Sequence, residues 1–213
     1  MSSGRKGLYM TLGAERKAAY ILLAIALAEG AWVIVNAVGN FSAFISYLGF
    51  SSGRLDAPLG WVLAAVVTLL FVALACRLPS VRQTIFRPTW LKLIALVLAV
   101  AAGVLEEVVF RKILMDWLAS DGYGQTLQVM ASGLAFGAVH GVWGLFGRSL
   151  RAAAGATVAT GILGTGLAVV YIAAGRNVAP CIVAHFVINA LIEPGLVLAA
   201  TRGEMAAARR TAA

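Results

Sequence analysis

Apolar residues run along this chain in long blocks, which short polar or basic segments separate. Each block is close to the ~20 residues that an α-helix needs to cross the hydrocarbon core of a bilayer. The blocks lie at about residues 18–38, 60–78, 91–118, 125–146, 152–174 and 179–200. The pattern predicts an all-α fold, a polytopic membrane helix bundle of about six transmembrane helices.

The block at residues 91–118 differs from the others in its charged residues. It is longer than a simple span, and Glu106, Glu107, Arg111 and Lys112 lie well inside it. A tilted or broken helix is therefore expected there.

Composition excludes a soluble domain. Hydrophobic residues make up 61% of the chain and charged residues only 12%, whereas a soluble domain has about 25% charged residues. The net charge of +8 does not indicate a nucleic-acid partner, because the basic residues lie in short segments between apolar blocks. We expect membrane lipid and a peptide or protein substrate near the membrane as partners, and no nucleic acid.

The positions of the basic residues also predict the topology. Basic residues occur in the first 17 residues, in the link at 77–92, at Arg148 and Arg151, and in the tail after residue 200. With six spans, all of these segments fall on one side, which the positive-inside rule makes cytoplasmic. We expect an integral, multi-pass membrane protein with both termini in the cytoplasm.

Charged groups inside spans are the first candidates for function, because a bilayer excludes them unless they are needed. Glu106 and Glu107 are adjacent and point about 100° apart on a helix. Glu107 and Arg111 are four residues apart with glutamate first, which favours an ion pair on one face. Glu106 is left unpaired, and a buried, unpaired carboxyl is suited to accept and donate a proton near neutral pH.

Two further short motifs carry the only histidines in the chain. Phe136 and His140 share a helical face, as do His185 and Asn189. Either histidine alone would fit a packing role. Both together with a diglutamate and an arginine on a third predicted span indicate a catalytic site.

The three elements resemble the CPBP (CAAX protease and bacteriocin-processing, or ABI) family, to which the type II CAAX prenyl proteases belong. The family pattern EExxxR, FxxxH and HxxxN/D is matched by EEVVFR at 106–111, FGAVH at 136–140 and HFVIN at 185–189. Lys112 stands where the family often has glycine. We take residues 91–200 as a CPBP-like protease core. Residues 1–90 are then an N-terminal tail and the first two transmembrane helices with their loops, and residues 201–213 a basic C-terminal tail.

The resemblance implies an intramembrane endopeptidase with named roles for these residues. Glu106 would activate water with help from His140, while His185 and Asn189 would hold the oxyanion. Glu107 would be held by Arg111, although the roles of the two glutamates could be reversed. Arg111 and Phe136 would give structural support.

The same side chains leave a metal version open. Glu106, His140 and His185 would make a three-ligand set for catalytic zinc, with water as the fourth ligand. We favour no cofactor, partly because no HExxH-type pair is present and partly from the resemblance.

Two other classes of function compete with an endopeptidase. A non-catalytic CPBP-fold binding or immunity protein would keep the fold without the reaction. A proton-coupled transporter would use Glu29 in the first span with the motif residues as a relay, although no inverted repeat is detectable. One geometric difficulty stands against a joint site: on straight spans His140 and His185 would differ in depth by roughly 10 Å.

The predicted topology can be tested by cysteine accessibility in a variant with Cys76 and Cys181 replaced by alanine. The single variants Arg87→Cys and Arg151→Cys are expected to react with a membrane-impermeant maleimide only after the cells are permeabilised, because both positions lie in basic links that we expect in the cytoplasm. A cysteine at Gly122 is expected to react in intact cells. The opposite pattern would invert the topology.

Overall fold

The computed structural model describes residues 2–51, 56–142, 149–202 and 204, with side chains from residue 13 onward. Arg148 and the tail beyond residue 204, on which part of the predicted topology rests, lie outside the described residues. In the described part of the chain the structure is helical and contains no strand, which confirms the all-α prediction.

The helices follow the predicted blocks closely. They are α1 (Ser2–Gly39), α2 (Phe41–Tyr47), α3 (Pro58–Ala75), α4 (Pro79–Thr84), α5 (Trp90–Glu107), a π-helical segment (Val108–Ile113), α6 (Leu114–Ser120), α7 (Gln125–His140), α8 (Leu150–Ala173) and α9 (Ala179–Thr201).

Five helical stretches of the described chain are long and apolar enough to cross a membrane. They are Gly13–Gly39, Pro58–Ala75, Trp90–Ser120, Leu150–Ala173 and Ala179–Thr201. The remaining predicted span, the fourth along the chain, corresponds to α7, which has 16 residues and is therefore about 24 Å long at 1.5 Å per residue. The polytopic helical bundle is confirmed, with α7 shorter than its predicted block of 125–146.

Helix α9 forms the centre of the bundle. It packs against α1, α3, α4, α5 and α8, and 67% of its most apolar stretch is buried, compared with 11% for the first span. A helix that is hydrophobic on all sides is typical of such a central position. The outer helices keep large apolar side chains such as Leu27, Leu69 and Ile162 exposed, as contact with lipid requires.

Helices α7 and α8 approach each other through glycine. A Cβ atom added at Gly137 would lie 2.5 Å from the carbonyl oxygen of Thr157 and 2.9 Å from Cα of Gly161. Gly133 also lies close to α8, where an added Cβ would lie 3.1 Å from the carbonyl oxygen of Gly161. Small residues four positions apart allow this close backbone contact, and the contact fixes α7, which carries Phe136 and His140.

The third span confirms the expectation of a broken helix. Between α5 and α6 the chain widens into the π-helical segment, a form of helix found frequently at functional sites. The hydroxyl of Ser132 on α7 donates to the carbonyl of Phe110 in this segment at 3.0 Å. The segment contains Arg111, and it follows directly after the two glutamates.

A second polar network joins the other end of the bundle, and the sequence motifs did not predict it. Arg176 has φ of +64°, a left-handed conformation that is costly for a residue with a side chain. Its guanidinium contacts Asp116, with Nε to Oδ1 at 2.8 Å, and it donates to Gln128. Tyr171 also donates to Asp116, so the network joins α6, α7 and α8 at the turn into α9.

We expect Gly137→Ala to lower thermal stability in detergent, because the new methyl group meets backbone atoms that cannot move aside. Overpacking of this kind costs about 1–3 kcal/mol. Gly155→Ala is the matched control in α8, since a Cβ there meets nothing within 4 Å. Equal melting temperatures for the two variants would contradict the close α7–α8 contact.

Candidate active site

Helices α1, α5, α7 and α9 line one cavity of about 250 Å³ with polar groups on its wall. Glu106, His140 and Asn189, three of the predicted site residues, line it together with Glu29 and Glu193. The remaining wall is apolar. The structure thus brings residues from three predicted motifs to one place inside the bundle.

Glu106 lies where the two histidines meet. Its Oε2 atom is 3.6 Å from Nε2 of His140 and 3.9 Å from Nε2 of His185. That oxygen has no hydrogen-bond donor among the described residues, and 18% of the side chain is exposed. Glu106 therefore lines the cavity with a carboxyl group whose buried Oε2 is unsatisfied by any described residue.

Glu107 points away from the cavity into the protein. Its side chain is fully buried, and its Oε2 lies 3.1 Å from Nε of Arg111. Because the N–H does not point at this oxygen, the contact is an ion pair without a well-formed hydrogen bond. Its Oε1 lies 2.7 Å from Nδ1 of His185. The predicted Glu107–Arg111 pair is confirmed, and it extends to His185 on α9.

The backbone of α5 permits this contact with α9. A Cβ atom at Gly103, one turn before Glu107, would lie 3.4 Å from the carbonyl oxygen of Ile182 and 3.4 Å from the nitrogen of Phe186. A Cβ at these distances would already be in van der Waals contact with the backbone of α9, so the two helices lie close together at Gly103. The close approach places Glu107 within hydrogen-bonding distance of His185.

Arg111 is completely buried and contacts three neighbours. Besides Glu107, its Nη2 donates to the carbonyl of Gly164 at 3.0 Å, and its Cζ lies 4.7 Å from the centroid of the Phe136 ring. Gly164 is needed in this arrangement, because a Cβ there would lie 2.8 Å from Cβ of Phe136. Arg111 thus ties the π-helical segment to α7 and α8.

Phe136 is the apolar wall against which both histidines rest. Its ring centroid is 4.5 Å from that of His140 and 5.7 Å from that of His185. Its backbone oxygen is 2.8 Å from Nδ1 of His140. These contacts hold both imidazoles in position.

The partners of the two Nδ1 atoms determine the tautomers. A carbonyl oxygen faces Nδ1 of His140, and a carboxylate oxygen faces Nδ1 of His185. Because both partners can only accept, each Nδ1 carries the hydrogen. In a neutral ring the lone pair then lies on Nε2, and both Nε2 atoms face Glu106.

The depth difference expected from straight spans does not separate the histidines. His140 is the last residue of α7, and His185 lies in the second turn of α9. A helix as short as α7 does not reach across a whole bilayer. Its final residue can therefore lie at the same depth as the first turns of α9, which contain His185. The estimate of roughly 10 Å assumed straight helices of full length.

The zinc alternative can be compared with the same distances. Tetrahedral zinc with bonds of ~2.0–2.1 Å places its ligand atoms about 3.3 Å apart, whereas the two Nε2 atoms lie 3.6 and 3.9 Å from Oε2 of Glu106. Within the described ranges no group of three His, Cys, Asp or Glu side chains is arranged to hold a metal ion. The three side chains are thus spaced wider in this structure than tetrahedral zinc ligands.

Sequence reasoning assigned no site role to two acids that line the cavity. Glu29 stands inside the first predicted span, away from the three motifs, and Glu193 lies four residues beyond the last motif residue, Asn189. The spacing in the sequence could have indicated a place for Glu193 in the site, because residues four positions apart share a helical face.

Comparison with protein families gives a match in this part of the chain. Residues 88–191 match the family model described as "Type II CAAX prenyl endopeptidase Rce1-like". The match contains all three motifs, at 106–111, 136–140 and 185–189. This part of the chain is thus similar to the Rce1-like endopeptidases.

The five apolar helices and the family match together identify an integral, multi-pass membrane protein. The match also supports a protease. The expected resemblance to CPBP proteases is thereby confirmed. Searches among curated proteins and among solved structures each found no significant match.

We expect Arg111→Met to lower the stability of the protein strongly, because it leaves Glu107 charged and buried without its partner. Breaking one partner of a buried ion pair costs about 3–5 kcal/mol. The double variant Arg111→Met/Glu107→Gln is expected to recover part of this loss, and thermal unfolding in detergent measures both. A double variant less stable than Arg111→Met alone would contradict the pairing.

Proposed function

We propose that this protein is a glutamate-dependent intramembrane endopeptidase, which hydrolyses a peptide bond in a membrane-associated protein or peptide. The observation that carries the proposal is the Glu106 carboxyl, which lines the cavity. Its buried Oε2 has no donor among the described residues and lies 3.6 and 3.9 Å from the Nε2 atoms of His140 and His185. A water molecule held there would have a proton acceptor on one side and two imidazoles beside it.

Glu106 is the general base in this proposal. It takes a proton from water, the water oxygen attacks the carbonyl carbon of the substrate, and the same proton is then available for the departing amine. His140 supports this role, because its neutral Nε2 accepts a hydrogen bond from the water and orients it. The products are a carboxylic acid and an amine, and no further reactant is consumed.

Asn189 and His185 hold the negative oxygen that forms on the substrate. The Asn189 amide offers an N–H in any protonation state, and it lines the cavity. His185 offers Nε2–H only as the imidazolium, because its Nδ1 hydrogen is already directed at Glu107. The carboxylate of Glu107 offsets that positive charge, which gives the second glutamate a positioning role.

The geometry supports this order of the two glutamates over the reverse. Glu107 is fully buried and occupied by Arg111 and His185, so a substrate would have to displace an ion pair to reach it. Glu106 faces the cavity. We therefore assign the base to Glu106, and we propose a mechanism without a metal cofactor.

We expect Glu106→Gln to reduce peptide cleavage by about 100-fold or more, because the amide cannot accept a proton from water. Purified wild type and variant are incubated in detergent with a library of membrane-proximal peptides, with and without a strong chelator. Glu15→Gln is the matched control, because Glu15 lies on α1 and does not line the cavity. This variant should cleave like the wild type.

The outcomes separate the alternatives. Cleavage that is lost in Glu106→Gln and survives chelation supports the glutamate mechanism. Loss of wild-type cleavage on chelation, with recovery on adding zinc, would instead place Glu106, His140 and His185 around a metal. Failure of the folded wild type to cleave any peptide would contradict the endopeptidase and favour a non-catalytic binding protein.

A further inference from the structure

Glu29 and Glu193 form an acidic wall of the cavity that the proposed hydrolysis does not use. Both line it beside Glu106 and Asn189, and both lie outside the residues 88–191 that match the family model. They come from opposite ends of the chain, Glu29 from α1 and Glu193 from α9. The bundle therefore brings two additional carboxyls to the site from positions that the family match does not cover.

These carboxyls have no positively charged partner within the described part of the protein. Glu193 is 8% exposed and has no hydrogen bond or ion pair with any described residue. Oε2 of Glu29 is buried without a donor, and its carboxyl shares a hydrogen bond with that of Glu106, so its only side-chain partner at the site among the described residues is another acid. No lysine or arginine is among the described residues that line the cavity. A buried acid without a cationic partner is costly, and the described lining of the cavity offers none to these two carboxyls.

The position of Glu193 relates it to the substrate. It lies one helical turn beyond Asn189, about 6 Å along the helix axis, and Asn189 is the proposed oxyanion donor. An extended substrate advances by about 3.3–3.6 Å per residue. A side chain within about two residues of the scissile bond therefore reaches Glu193, and Glu29 faces it from the opposite helix.

We propose that Glu29 and Glu193 form a subsite for a basic side chain, lysine or arginine, located within about two residues of the cleaved bond. This inference rests on the proposed endopeptidase function and names a feature of its substrate. A lysine or arginine entering the cavity supplies the donors and the positive charge that the two carboxyls lack. The apolar remainder of the wall accommodates the aliphatic part of such a side chain.

The test compares two peptide libraries in detergent that are identical except that one carries lysine where the other carries norleucine. Cut sites are mapped by mass spectrometry, and the ratio of cleavage rates defines the selectivity. We expect the wild type to prefer the lysine library, with lysine enriched within about two residues of the cut. Glu193→Gln and Glu29→Gln are each expected to reduce the selectivity ratio by about tenfold.

Two further variants make the result specific. Glu193→Asp keeps the charge and is expected to retain most of the selectivity, which a purely structural role would not predict. Glu15→Gln is the matched control and should keep the wild-type ratio. Melting temperatures in detergent show which variants are folded, and binding of the lysine peptide to folded Glu193→Gln is expected to weaken.

The failures are distinguishable. Equal cleavage of both libraries by the wild type, with loss of cleavage in Glu106→Gln, would overturn the subsite while the endopeptidase stands. Selectivity that disappears on chelation would also overturn it, because the acids would then be binding a metal cation. Absence of any cleavage that depends on Glu106 would overturn the proposed function and the subsite together.

Discussion

The arrangement of the site depends on one buried electrostatic contact, the carboxylate of Glu107 between Arg111 and His185. It joins the third span to the last one in a region that excludes water, where neither charge could remain alone. Arg111 also contacts α7 through the Phe136 ring and α8 through the Gly164 carbonyl, so the positions of these helices depend on the same ion pair. Glu106, the neighbouring residue, is thereby turned to the cavity.

The short motifs predicted much of the site because their spacing acts within one helix. The interval between Glu107 and Arg111 specifies a same-face pair, and the structure contains it. The interval between Phe136 and His140 likewise puts two rings in contact. The six apolar blocks predicted the helices, and the boundaries differ mainly at α1 and α7. Hydropathy indicates which residues suit the bilayer core, and a helix can end before or continue beyond that core.

Contacts between distant parts of the chain could not be predicted in this way. The π-helical segment at Val108–Ile113 cannot be recognised from hydropathy, because the same residues have the same hydropathy in a π-helical turn as in an α-helical turn. The meeting of Glu29 and Glu193 depends on how α1 and α9 pack, and no local interval specifies that. The left-handed Arg176 is also held by contacts made across helices.

The π-helical segment has a mechanical consequence for the whole third span. One residue more in a turn rotates everything beyond it by about 100° relative to a regular α-helix, so the faces of α5 and α6 are set independently. This offset lets α5 direct Glu107 towards α9 while α6 directs Asp116 towards Tyr171 and Arg176. A change that let the segment relax into a regular helix would misalign both ends at once.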